Sequence, residues 1–355
     1  MSNRTTISRI LVTRTDRIGD VVLSTPVFEV LRRHFPTAHI SVLVTPKTRE
    51  TVEGNPFINE VLIYDKEGAH RSLWGSFLFS RMLRHKKFDI ALILHSTNRV
   101  VLLSYLAGIP VRIGYERRLS FLLTRRFADI KKTGLMHEID GNLELIRKGL
   151  GIEDLRYTCL YFPLRQETRD AVRKRFRETG LERKRYVAVH AQASCPSKCW
   201  PLEHFRTLIH RIVTELGLKV AIVGGARDTA LTAALASECA GSVIDFTGRL
   251  SLGELGWVLK WARLFVSNDS GPVHISAAVT TPCIALFGRR QDGLSPARWG
   301  PVGERDAVFH KDAGCEVCYA HDCTRGFECL RLITPDEVYE KVEELVREAR
   351  FTDEG

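Results

Sequence analysis

Phe265-Val266-Ser267-Asn268-Asp269-Ser270-Gly271-Pro272-Val273-His274 decides the fold of this chain. The segment opens on an apolar run, turns through Asn-Asp-Ser-Gly and resumes with proline and further apolar residues. A short apolar run bounded by turn residues reads as a buried strand. Asp269 or Ser270 can cap a following helix, and Pro272 suits its first turn. Gly271 removes side-chain bulk, so a phosphate could approach the helix start, where unpaired N–H groups and the dipole favour an anion. Capping alone would also account for Asp269 and Ser270.

Outward from this segment the same grammar repeats. Tyr186–His190, Lys219–Val223, Val243–Phe246, Leu264–Ser267 and Cys283–Phe287 read as strands, with helices beginning near Pro201, Ala226, Ser251 and Gly271. Upstream, Ile10–Thr13, Ile40–Val44, Val61–Tyr64 and Phe88–Leu94 read likewise, with a helical pattern over Val21–His34 ended by Pro36. Their apolar runs are continuous, as in parallel strands covered on both faces. Strands alternating with helices predict an α/β chain with two doubly wound parallel sheets. The joint falls near Tyr161–Gln166, followed by a charged helix over Glu167–Thr179. The expected division is 1–165, 166–334 and a last helix within 335–355 that can cross back to the first domain. A chain of 355 residues is long enough for two cores.

Composition narrows the class. The chain is 44% hydrophobic and 26% charged, as globular proteins are. Ile10-Leu11-Val12 is too short for a signal-peptide core, and Val100–Val111, interrupted by Ser104, Gly108 and Pro110, is too short for a membrane span. A cytoplasmic protein is expected, with its nine cysteines reduced or ligating metal rather than paired. The formal charge is +10, and residues 65–132 carry 14 Lys/Arg against five Asp/Glu. That excess suggests an anionic partner, a nucleic acid, membrane surface or acidic substrate, or else a solvated basic face. Trp74, Phe77, Leu78 and Met82, beside Arg81, Arg84, Lys86 and Lys87, suit a helix near a membrane surface. The simpler expectation turns those apolar residues onto the sheet and only the charges outward.

Several motifs are missing. The loop after the first strand, Arg14-Thr15-Asp16-Arg17-Ile18-Gly19-Asp20, is no G-x-G-x-x-G, which disfavours a dinucleotide oxidoreductase. There is no P-loop, no nucleophile elbow and no Asp-x-Asp pair to hold a metal–diphosphate. A bound diphosphate would need backbone amides and basic side chains. Lys198, in the loop from Ala191 to Pro201 and just before a helix, can serve as such a clamp or as an exposed lysine.

Three blocks together resemble the ADP-heptose:lipopolysaccharide heptosyltransferases, glycosyltransferase family 9. They are Asp16–Pro26 with Leu31–Pro36, then Lys198-Cys199-Trp200-Pro201 with Glu203-His204-Phe205, then Ser267–His274 with Ala277-Ala278 and Pro282–Gly288. Cys199 departs from the basic or bulkier residue usual there. The resemblance implies a GT-B fold, two Rossmann-like domains facing a cleft, with acceptor on the first and nucleotide sugar on the second. It implies inverting, metal-independent transfer of L-glycero-D-manno-heptose from its ADP donor to the inner core of lipopolysaccharide. The enzyme would be cytoplasmic, or peripheral on the inner membrane, and would meet its anionic acceptor at that surface. Asp20 matches the family's proposed base, although a helix N-cap would also explain it. Lys198 and the amides around Ser270 and Gly271 would hold the diphosphate, Asp269 the donor sugar hydroxyls, and His274 is a further donor-side candidate. Asp228 would meet the ribose and Leu250 the adenine, unless Leu250 is core. Arg117, Arg118, Arg125 and Arg126 would meet the anionic acceptor. Other sugar-nucleotide enzymes of this fold, such as a transferase of another sugar or a 2-epimerase, stay open, with a nucleic-acid-binding module a distant alternative.

Cys315, Cys318, Cys323 and Cys329 lie within 15 residues, with His321 among them. Four thiols in a reducing compartment can form a tetrahedral shell for one structural zinc or iron, and Gly314 and Gly326 would let the backbone wrap it. The alternative is four unliganded thiols. No cofactor is expected for catalysis.

Overall fold

The computed structural model describes residues 7–352 apart from 238 and 240, and the side chains at 132, 228, 230, 231 and 349–352 also fall outside the described residues. The chain divides into two compact units, Met1–Pro163 and Leu164–Gly355.

In the first unit the strands are β1 (Arg9–Thr13), β2 (His39–Val44), β3 (Glu60–Ile63), β4 (Ile90–Ile93), β5 (Val111–Tyr115) and β6 (Arg125–Phe127). They form one sheet in the order β3-β2-β1-β4-β5-β6, every pair parallel. Its helices are α1 (Ile18–Val22), α2 (Thr25–His34), α3 (Leu73–His85), α4 (Asn98–Leu106) and α5 (Glu138–Leu150). In the second unit α6 (Gln166–Thr179) precedes β7 (Tyr186–His190), α7 (Leu202–Leu216), β8 (Lys219–Ile222), α8 (Thr229–Ala236) and β9 (Val243–Asp245). Then come α9 (Leu252–Trp261), β10 (Leu264–Asn268), α10 (Gly271–Ala278), β11 (Cys283–Phe287), α11 (Pro296–Trp299), β12 (Ala307–His310), α12 (Glu328–Arg331) and α13 (Pro335–Thr352). The second sheet runs β12-β11-β10-β7-β8-β9, again all parallel.

The two sheets share a design. The first strand of each lies in the middle, and the order reverses beside it, between β1 and β4 and between β7 and β10. Loops leave the carboxyl ends of those neighbours in opposite directions and open a crevice, the place where ligands bind in open α/β sheets. The strands that flank these points are buried along nearly their whole length, which is why they read as continuous apolar runs.

Three expectations are corrected. The helical pattern over Val21–His34 is two helices, α1 and α2, because Pro26 has no N–H to continue α1 and belongs to the first turn of α2. The Ser24 and Thr25 hydroxyls donate to the backbone oxygens of Asp20 and Val22 at the break. Strands β5, β6 and β12 escaped the sequence reading. β5 carries Arg112 and Gly114, and β6 is an edge strand whose Arg125 and Arg126 are exposed, as edge strands favour. Finally, Trp74, Phe77 and Leu78 do not face the sheet; all three are exposed, and Phe79, Ser80 and Leu83 are the buried residues of α3.

The last helix packs within the second unit. Val338, Tyr339, Val342, Leu345 and Val346 of α13 join the core formed by β7, β8, β10 and α7. No described helix is long and apolar enough to cross a membrane.

Candidate active site

In the first unit the crevice beside β1 holds a buried ionic network centred on Arg14, the first residue after that strand. Its guanidinium donates to Asp16 (2.8 Å), Asp20 (2.6 Å), Glu138 (2.9 Å) and Asn142 (3.1 Å). Lys131 approaches the same Glu138 and Asn142 oxygens at 2.7 and 2.5 Å. From the loop after β4, His95 Nδ1 lies 3.1 Å from the second oxygen of Asp16. Loops from both sides of the strand-order reversal thus meet at Asp16.

Asp20 is not a helix cap. It is the third residue of α1, whose N-cap position is Arg17, and its carboxylate turns to Arg14 instead. Burial, then the negative charges of Asp16 and Glu138, push Asp20 up to about 6 against the pull of Arg14. Asp16 goes the other way: burial opposes its charge, but Arg14 and His95 outweigh burial and hold it below the usual carboxylate range. Two neighbouring carboxylates with separated affinities can divide roles, one as a fixed charge and one as a group able to take up a proton. A cavity of about 540 Å³ opens beside them at the ends of β1, β2 and β3, lined by Asp16, Arg17, Thr45, Lys47 and Lys66 among others.

In the second unit the crevice beside β7 gathers the loops after β7, β10 and β11. Lys198 is buried rather than exposed, 8% accessible, with Nζ 2.9 Å from Asp269 Oδ2 and 3.2 Å from its backbone oxygen. Arg289, separated from the end of β11 by Gly288, donates to the same carboxylate oxygen at 2.9 Å, and its buried Nε has no hydrogen-bond partner among the described residues. Burial lowers the proton affinity of Lys198 below the ordinary lysine value, against the pull of Asp269. Two cations against one carboxylate leave a buried positive surplus, which an anion would relieve. Ser270 takes the N-cap position of α10, yet its hydroxyl binds His190 Nδ1 (3.0 Å) and Ser267 Oγ (2.9 Å) and makes no capping bond. The N-terminal amides of α10 are therefore not closed by the Asp269 or Ser270 side chains. Asn268 sets the register of this crevice, accepting from Trp200 N (2.9 Å) and donating to the Ala191 oxygen (2.8 Å).

The other expected residues fall as follows. Gly271 opens α10, and His274 is buried one turn further on. Leu250 is half-buried in the loop after β9, outside the core cluster, and that loop meets the one after β8 through Gly248 N–H to the Gly224 oxygen at 2.9 Å. Asp228 follows Gly224, but its side chain lies outside the described residues. Arg125 and Arg126 are on edge strand β6, and Arg117 pairs with Asp129 at 2.8 Å in the loop that carries Lys131. Arg118 is exposed beside it. The four arginines cluster about β5 and β6, on the β4 side of the β1–β4 crevice. Arg14, Lys131, Glu138, Asn142, Arg289 and Asn268 escaped the sequence reading. For Arg14 and Arg289 there was a signal, since each directly follows the carboxyl end of a strand or its glycine.

Cys315, Cys318, Cys323 and Cys329 all line one cavity of about 330 Å³, together with Ser197 and Arg289. Among the described residues no three His, Cys, Asp or Glu side chains are gathered closely enough to share an ion. The Cys329 thiol donates to the Gly288 oxygen at 2.8 Å, and burial pushes it up from the usual thiol value. Gly314 and Gly326 have φ of 67° and 58°, the left-handed turns this loop needs. The loop also has reasons for order besides metal: Ala320, Leu330 and Ile333 are buried, and Trp200 donates to the Ile333 oxygen. Ser197 Oγ lies 3.1 Å from His321 Nδ1, so the cysteine loop braces the loop that carries Lys198.

The family model of glycosyltransferase family 9 (heptosyltransferase) matches residues 77–327. The chain belongs to that family. It is a glycosyltransferase. A lipopolysaccharide heptosyltransferase 3 of Escherichia coli is 29% identical over 278 residues, 76% of this chain and 80% of that protein. The solved family 9 glycosyltransferase of Veillonella parvula is 26% identical, with a TM-score of 0.87 over 98% of this chain and 100% of that one. The E. coli ADP-heptose lipopolysaccharide heptosyltransferase II has a TM-score of 0.78 at 22% identity, over 96% of this chain and 99% of that one. The fold is accordingly GT-B, with two Rossmann-like units, as the sequence blocks implied.

Proposed function

We propose that this family 9 glycosyltransferase moves L-glycero-D-manno-heptose from its ADP donor to the inner core of lipopolysaccharide, with inversion and without a catalytic metal. One observation supports the reading: each sheet has a buried charged constellation at its strand-order reversal, Asp16 and Asp20 around Arg14 in one and Lys198 and Arg289 around Asp269 in the other. The first unit would hold the acceptor, with Asp20 taking the proton of the attacking hydroxyl. The second would hold the nucleotide sugar. Lys198, Arg289 and the α10 amides would stabilise the diphosphate as it leaves, and Asp269 would meet the sugar hydroxyls. Asp228 and Leu250 would meet ribose and adenine. The names of the relatives support heptose and lipopolysaccharide. The test is transfer from a panel of ADP- and UDP-sugars to deacylated lipopolysaccharide cores: heptose transfer from ADP-heptose alone is expected. Conversion of the sugar nucleotide without any acceptor would mark an epimerase instead.

For the acceptor arginines, Arg118→Glu with Arg126→Glu should raise the acceptor KM severalfold and leave ADP affinity unchanged. Added salt should raise the wild-type KM in the same direction by screening. An acceptor KM that neither change moves would leave these arginines as solvated side chains that guard the open edge of β6.

The four cysteines match a structural metal in kind and number, since thiolates are the soft donors that zinc and iron take, and binding would have to draw the described side chains together. Bound there, the ion would brace the loops of Lys198 and Arg289 and take no part in the reaction. Purified protein should then hold about one zinc or iron per chain, and Cys318→Ser should release it and lower the melting temperature. Metal-free protein of full stability, with all four thiols titratable, would remove the proposal.

A further inference from the structure

α3 turns two apolar faces in opposite directions. Phe79 and Leu83 enter the first unit's core, whereas Leu73, Trp74, Phe77 and Leu78 are 84%, 67%, 38% and 47% exposed. The rings of Trp74 and Phe77 stack at 5.5 Å. α4 packs beside α3 and repeats the arrangement, with Val100, Val101 and Leu103 inward and Leu102, Tyr105 and Leu106 exposed. Phe121, 66% exposed, adds to it from the turn Ser120–Leu122 that packs on α4. The inner residues of both helices join one cluster against one face of the sheet, so the outer residues share the opposite side. Together they leave on the order of several hundred Å² of apolar and aromatic surface open, the size of patch that often marks an interaction site.

Charge identifies the partner. Arg71, Arg81, Arg84 and Lys87 are exposed around α3, and Arg112 lies over the Tyr105 ring at 5.5 Å. All five acids of this stretch have local partners: Asp65 accepts from the backbone of Gly68 and Ala69, Asp89 from Ser8 and Arg9, Asp129 pairs with Arg117, Glu67 with Lys47 and Glu116 with Arg126. A second copy of the chain docked here would set this basic surface against itself. A bilayer with acidic headgroups matches both features, receiving rings and leucines at the acyl boundary and guanidinium groups at the phosphates.

We propose that the outer face of α3 and α4, with Phe121, docks the first unit on an anionic bilayer surface. The strands are parallel, so α3 begins at the sheet edge where they end, directly after the loop of Asp65 and Lys66 that lines the 540 Å³ cavity. The saccharide of a lipid-anchored acceptor can reach that cavity while its anchor stays in the bilayer. The inference rests on the reading of a lipid-borne acceptor, but its test uses lipid alone, so failure of one is separable from failure of the other.

The full chain should float with phosphatidylethanolamine–phosphatidylglycerol vesicles at low salt and not with phosphatidylcholine vesicles. Trp74 is a built-in reporter, because Trp200, Trp257, Trp261 and Trp299 all lie in the second unit. Brominated acyl chains should quench its emission, and Trp74→Phe should abolish the quenching while flotation persists. The triple change Trp74→Ser, Phe77→Ser and Leu78→Ser should lower vesicle affinity by about tenfold or more, with melting temperature and ADP affinity at wild-type values. No flotation of the wild type, or equal flotation of the triple variant, would overturn the proposal. So would an unquenched Trp74 in vesicle-bound protein, or a dimer that the triple change dissolves. Should the triple variant fail to fold, the quenching of wild-type Trp74 decides alone.

Discussion

Asp20→Ala should lower turnover by roughly 10²–10⁴-fold while ADP-heptose binds as in the wild type. The fold should tolerate the change, because Arg14 keeps Asp16, Glu138 and Asn142 as partners. The pH profile is the sharper measurement. A general base works only when ionised, and burial with Asp16 and Glu138 pushes Asp20 up to about 6. kcat/KM should therefore rise with pH through a midpoint near that value. Asp16→Asn removes one of the negative charges that hold Asp20 protonated. Ionisation becomes easier, and the midpoint should move to lower pH even where the rate falls. A profile that Asp16→Asn leaves in place would mean that the titrating group is not Asp20. Full activity in Asp20→Ala would return the residue to its pairing with Arg14.

The two crevices were unequally legible in the sequence. Short turns that follow buried strands announce themselves, and Asp20, Lys198 and Asp269 all stand in or beside such turns. Their partners come from far along the chain: Glu138 lies 124 residues from Arg14, and Arg289 lies 20 from Asp269. No local pattern ties such pairs, because only the parallel register brings the loops together. Glu138 and Asn142 lie outside every segment that the sequence singled out, and Lys131 reads as one more charge in a basic stretch. All three are buried. The same blindness hid β6, where arginines appropriate to an edge strand read as ligand contacts or a solvated basic face, and it reversed the outer face of α3. A leucine–tryptophan–phenylalanine spacing cannot say which side of a helix meets the sheet when both sides are apolar.

Lys198→Met should weaken ADP-sugar binding by roughly 10–100-fold, the range expected for one charge-assisted contact to phosphate. It should slow transfer further still, because negative charge grows on the diphosphate as the glycosidic bond breaks. Methionine preserves most of the packing volume, so a structural part of the effect should show as a melting shift and not as lost affinity. The alternative role for Lys198 is to neutralise Asp269, but Arg289 already does so at the same 2.9 Å. If neutralisation were the whole role, Lys198→Met would leave ADP affinity intact, and calorimetry would report it. Arg289→Met should reproduce the Lys198 phenotype, since both cations approach one carboxylate oxygen and would bridge from it to the diphosphate. With the positive charge supplied by side chains and helix amides, initial rates should also withstand excess chelator. Transfer that chelator abolishes and magnesium restores would assign the diphosphate to a metal and leave the two buried cations as partners of Asp269 alone.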